Sequence, residues 1–61
     1  MSHAENDKAI DRIRELEDNI ACLQSEIVDA LSNENFRDAQ DAYDELIRNR
    51  KELAALAAVF A

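Results

Sequence analysis

The sequence predicts an all-α fold, an antiparallel two-helix hairpin that self-associates into a four-helix-bundle or coiled-coil-like oligomer. Three observations lead there. Gly and Pro are both absent, so tight positive-φ turns, a multi-stranded sheet and a glycine-rich phosphate loop have little to build on. Apolar residues recur at alternating three- and four-residue spacing through two long stretches, the rhythm of helices that bury one stripe. The segment Leu53 to Ala61 carries no polar side chain at all. A helix apolar on every side has to be buried, and 61 residues offer little with which to bury it alone.

The first helix is expected over about residues 3–32. Its stripe is Ala9, Ile13, Leu16, Ile20, Leu23, Ile27 and Ala30, with Ile at a and Leu at d of a heptad. Ile10 and Leu31 widen it at the ends, and Arg12, Asn19 and Glu26 flank it on one side, Glu17 and Gln24 on the other. Ser2-x-x-Glu5 reads as a capping box that starts it. Ser32-Asn33-Glu34-Asn35 then interrupts the pattern with four polar residues. With no Gly available, Asn33 is expected to take the left-handed conformation that ends helix 1, and Asn33 or Asn35 to N-cap helix 2. So short a turn, about residues 33–35, makes the helices antiparallel neighbours.

The second helix is expected over about residues 36–60, with the stripe Phe36, Ala39, Tyr43, Leu46, Arg50, Leu53, Ala57, Phe60, broadened by Ala42, Ile47 and Leu56. Arg37–Asp41, Asp44–Arg48 and Arg48–Glu52 stand four apart and support its exposed face by a few tenths of a kcal/mol each. Residues 1–61 thus form a single helical-hairpin domain. Folded about residues 33–34, the hairpin sets Leu23 against Tyr43, Ile20 against Leu46 and Ile47, Leu16 and Glu17 against Arg50, and Ile13 against Leu53. Phe60 then faces residues 4–7, which offer little cover, and Leu56, Val59 and Phe60 stay partly open. A second copy would bury them and the outer flanks of both stripes, giving a bundle with two-fold symmetry. The expected oligomer interface is Ile13, Leu16, Ile20, Leu23, Ile27, Leu46, Leu53, Leu56, Val59 and Phe60, with a homodimer favoured. Each such side chain contributes roughly 1.5–3 kcal/mol when buried, so a handful decides whether a chain this small is folded.

Composition narrows the function. Fourteen acids against seven bases give a net charge of −7; residues 1–31 hold eight acids and three bases, residues 32–61 six and four. That balance argues against general binding to nucleic acid or anionic membranes, which draws on surplus Lys and Arg. It suits solubility or a basic partner. The first residues show neither a basic nor an apolar signal region, and Leu53–Ala61 would span only ~14 Å as helix, too little for a bilayer. The expectation is a cytoplasmic protein with no membrane association.

Candidate chemistry is sparse. Tyr43 and Arg50 lie seven apart on one stripe. They read either as a core aromatic and an Arg snorkelling to Glu17 or, with Asn49 and Arg37 or Lys51, as the lining of an anion or nucleotide site between protomers. Cys22 is the only cysteine and His3 the only histidine, which leaves no zinc set within one chain and no base beside a thiol nucleophile. Cys22 is expected to be a reduced, half-buried thiol, with an intermolecular disulfide as the alternative. Glu15, Glu17 and Asp18 form one carboxylate cluster and Asp38, Asp41, Asp44 and Glu45 another. Neither has a Glu-x-x-His motif or a Gly-containing calcium loop. No catalytic residue, metal site or cofactor is expected.

Two resemblances concern the hairpin plan. Ala30 to Leu46 resembles the UVR helical hairpin of bacterial excinuclease subunits, in which a short polar turn precedes Phe-Glu-x-Ala-Ala-x-x-Arg-Asp and an apolar residue two further on. Phe36, Ala39, Asp44 and Leu46 match; Arg37, Gln40 and Tyr43 depart at the Glu, second Ala and Arg positions. The resemblance implies a hairpin that docks on a protein partner. In size and plan the chain is also similar to Rop-type RNA-binding hairpin dimers, although its surface is acidic where theirs would have to approach RNA. The expected function is a non-enzymatic protein-interaction module, an adaptor or inhibitor, acting as a homo-oligomer. The alternatives are a small-molecule or nucleotide binder with its site between protomers, and an acidic mimic that blocks a nucleic-acid-binding partner.

Overall fold

A computed structural model describes the backbone of residues 3–59 and the side chains of residues 7–59. Two α-helices, α1 (His3–Ser32) and α2 (Phe36–Ala58), pack against each other as an antiparallel hairpin measuring 49 × 14 × 14 Å. Neither Gly nor Pro lies between them, so the turn is made by hydrogen bonding. Asn35 N–H donates to the Ala30 carbonyl at 2.8 Å and Glu34 N–H to the Leu31 carbonyl at 3.1 Å. This pair of bonds is the Schellman closure of a helix C-terminus. The left-handed residue is Glu34, with φ 59°, and not Asn33 as the sequence suggested. The reason lies in the amides on either side. Asn33 spends its side chain on the last turn of α1, donating to the Asp29 carbonyl at 2.9 Å. Asn35 is taken up as the N-cap of α2, accepting from Asp38 N–H and donating to the Asp38 carboxylate at 2.6 Å. Only Glu34 remains to reverse the chain. The capping box at Ser2 and Glu5 and the apolar residue Phe60 lie outside the residues whose side chains are described.

The seam of α1 runs where its heptads place it. Leu16 is fully enclosed and Leu23 buried, with Ala9, Ile13, Ile20, Ile27 and Ala30 half-buried beside them. The seam of α2 is rotated from the expected one. Ala39, Ala42 and Leu46 are buried, and Asn49, Leu53 and Leu56 are half-buried. Tyr43 is 50% exposed and Phe36 66% exposed, and Arg50 and Ala57 are exposed as well. Tyr43 is therefore no core aromatic. Two alanines three apart let α2 come close to α1, and a phenol ring in that layer would hold the backbones apart. The core cluster is Leu23, Ala42 and Leu46, with the partly buried Ile20, Ile27 and Ile47 packed against it.

The rotation also redirects the charges. Among the described residues the ion pair joining the helices is Arg12–Glu52, in place of the expected Arg50–Glu17, and the expected i,i+4 pairs on α2 are not closed. Gln40 instead donates to Asp44 at 2.9 Å. Among the described residues no helix is long and apolar enough to cross a membrane.

Candidate interaction faces

The two seams divide the hairpin surface into two long faces. At about 100° per residue, Ile13, Glu17, Ile20, Gln24, Ile27 and Leu31 lie on one flank of the α1 seam, and Arg12, Asn19 and Glu26 on the other. On α2, Phe36, Gln40, Tyr43, Ile47, Arg50 and Ala54 lie on one flank, and Asp38, Asp41, Glu45, Asn49 and Glu52 on the other. Because the helices run in opposite directions, the two flanks rich in apolar residues fall on the same side of the hairpin. Ile20, Ile27 and Ile47, which belong to these flanks, pack against the core.

The polar face is built from carboxylates. Near the turn, Glu26, Asp29, Asp38 and Asp41 line a groove of about 430 Å³. Further along, Glu26 and Glu45 flank Asn19 and the thiol of Cys22, which is exposed and not half-buried as expected, because it lies on the polar flank of the α1 seam. Towards the open end Arg12 grips Glu52 with two bonds, Nε to Oε2 at 2.6 Å and Nη2 to Oε1 at 3.0 Å, and reaches Glu15 at 2.8 Å. The hydrogen bond from Arg12 holds the Glu52 carboxyl below the usual carboxylate range, and the bond to Glu52 raises Arg12 in turn. Both groups are open to solvent, so the pair fixes the register of the helices more than it stabilises them. Among the described residues no set of three or more His, Cys, Asp or Glu is disposed to hold a metal ion.

The opposite face carries Leu31 (49% exposed), Phe36 and Tyr43, the half-buried Ile13, Ile20, Ile27 and Ile47, and the exposed Ala54 and Ala58. Ile10 and Val28 extend it along the outer side of α1. Its polar members are few: Glu17, Gln24, Gln40 and Arg50.

The residues expected at an oligomer interface fall into three groups. Leu16, Leu23 and Leu46 are already enclosed within one hairpin, so their burial draws on no second copy. Ile13, Ile20, Ile27, Leu53 and Leu56 are half-buried, and Val59 is 74% exposed. Phe60 lies outside the described residues. Of the three residues of the expected ligand site, the hairpin brings Tyr43 and Arg50 together on the apolar face. Asn49 sits about 120° round the helix from Tyr43, where its amide donates to the Glu45 carbonyl at 2.8 Å. The sequence placed Leu31, Phe36 and Ile47 on the buried stripes and left Val28 unassigned; Leu31, Phe36 and Val28 are exposed and Ile47 is half-buried. On α2 the signal is the Ala39–Ala42 pair, whose small side chains mark the close-packed seam and turn the larger neighbours outward.

No family model matches the chain, and no curated protein or solved structure matches it.

Proposed function

We propose that this chain is a small non-enzymatic protein-interaction module, an adaptor or inhibitor, that works in the cytoplasm as a homo-oligomeric helical hairpin, with a dimer as the basic unit. One observation carries the proposal. The hairpin fully or nearly buries three leucines and two alanines, yet leaves Ile10, Val28, Leu31, Phe36, Tyr43 and Val59 exposed. Leu31, Phe36 and Tyr43 are gathered on one face, and an exposed apolar stretch rimmed by polar groups marks a surface that binds protein. Chains below about 70–80 residues draw extra stability from a disulfide, a metal or a partner. A partner docked on the exposed apolar face would be such a source. Sedimentation equilibrium at micromolar concentration tests this. The expected mass is a multiple of 6.9 kDa, and a folded species at 6.9 kDa would count against it.

A second reading, the acidic mimic, draws support from the four carboxylates that line the groove near the turn. It expects the protein to compete with nucleic acid for a basic binding protein and to lose that competition as salt is raised. Competition that is insensitive to salt would contradict it.

A further inference from the structure

We propose that the apolar face is covered by a second copy of this chain in an antiparallel, two-fold arrangement, with the turn of each hairpin lying against the open end of the other. This rests on the self-association proposed above and adds the face and the direction.

Area leaves room for a second copy as the occupant. The chain exposes 4825 Å², whereas a compact monomer of its mass exposes about 4000 Å². The excess of roughly 800 Å² is what one partner gives up in an interface of ordinary size. The radius of gyration, 14.3 Å, exceeds the roughly 10.5 Å of a compact chain of this length. A second rod laid along the first brings the assembly close to the proportions of a globular protein.

Charge sets the direction. The half of the hairpin next to the turn, residues 21–46, holds seven acids and one base, a net −6. The open half holds the other seven acids but six bases, Lys8, Arg12, Arg14, Arg48, Arg50 and Lys51, a net −1. Two-fold packing with the turns together would set the two strongly acidic halves side by side. The antiparallel arrangement lays each acidic half along the half that carries the cations. Most of those carboxylates lie on the polar face, turned away from the second copy, so the preference acts at long range and weakens as salt is raised.

Side-chain size agrees. A two-fold axis at the level of Ile47 on α2 falls between Ile20 and Ala21 on α1, the same height in the hairpin. It places Phe36 opposite Ala58 of the second copy, Gln40 opposite Ala54, and Tyr43 within one residue of the level of Arg50, an aromatic face for a guanidinium. On α1 it places Leu31 opposite Ile10, Val28 opposite Ile13, and Gln24 opposite Glu17. The large side chains near one turn thereby cover the alanine-rich end of the other copy, the segment that its own first helix leaves open.

Pulsed dipolar spectroscopy on nitroxide-labelled protein tests the arrangement. In a Cys22→Ser background a label is placed at Ser32→Cys, next to the turn, or at Asp7→Cys, near the open end; both positions are exposed. Sedimentation equilibrium is run on the same samples. Ser32 and Asp7 lie roughly 17 and 20 Å along the rod from the proposed axis at 1.5 Å per residue, so label separations of about 35 and 40 Å are expected. A dimer with both separations below about 25 Å would overturn the antiparallel arrangement while leaving self-association standing. A monomeric mass for both the labelled and the unlabelled protein would overturn both proposals. The second label site guards against one substitution disturbing the dimer.

Discussion

Leu16 is the largest described side chain that the hairpin encloses completely, and its neighbours on α1 are only half-covered. Truncating it removes buried methyl groups and leaves a cavity that two helices tied by one turn close only in part. Leu16→Ala is expected to cost about 2–5 kcal/mol, a large share of the stability of so small a domain. Urea unfolding followed by circular dichroism measures this, with Arg48→Ala as a surface control expected to stay within about 0.5 kcal/mol of the parent. The Arg12–Glu52 pair gives a second prediction. Because the folded state holds Glu52 below its ordinary value of 4.5, the stability it adds is present above pH ~4.5 and is lost as pH falls through the lower folded midpoint. A carboxyl NMR titration is expected to show Glu52 titrating below 4.5, and Arg12→Gln to move the midpoint upward. An unchanged midpoint in the variant would show that the bidentate contact does not persist in solution.

Between the helices, the turn solves its geometry with hydrogen bonds and leaves one residue in an unfavourable backbone region. Glu34 has a Cβ where the left-handed conformation favours none. Glu34→Gly relieves that contact at the cost of a looser unfolded chain, and is expected to raise stability by up to about 1 kcal/mol. Thermal unfolding at fixed protein concentration checks it; a loss of stability would mean that Glu34 is held by something other than the turn. The same element shows what the sequence could and could not reveal. Both helices and the hairpin were legible, because Ile and Leu at heptad spacing in α1 admit one buried face. The face of α2 was not. Ala39, Leu46 and Leu53 belong equally to a stripe through Tyr43 and Arg50 and to one through Ala42 and Asn49. Hydrophobicity favours the first, and only the close approach of α1 selects the second. Glu34 was illegible for a related reason. Its conformation follows from what Asn33 and Asn35 bond to, and carries no propensity signal of its own. The ligand site drawn through Tyr43, Asn49 and Arg50 inherited the mistaken seam, which is why the hairpin gathers two of its residues and turns the third away.

Taken as a whole, the molecule is a rod with an acidic face, an apolar face and a charge gradient from turn to open end. Each feature follows from the seam. Small residues face inward on α2, so its carboxylates collect on one flank and its large apolar side chains on the other. The central claim is that one copy is an incomplete folding unit and that a second completes it. Folding and association are then a single equilibrium, and stability depends on protein concentration by mass action. The most direct measurement is the thermal midpoint of helix unfolding by circular dichroism across a hundredfold dilution, from ~100 to ~1 µM, where linkage makes the midpoint fall steadily as the protein is diluted. A cooperative midpoint that stays fixed across that range, with full helicity at the lowest concentration and a mass of 6.9 kDa, would show that the hairpin stands alone.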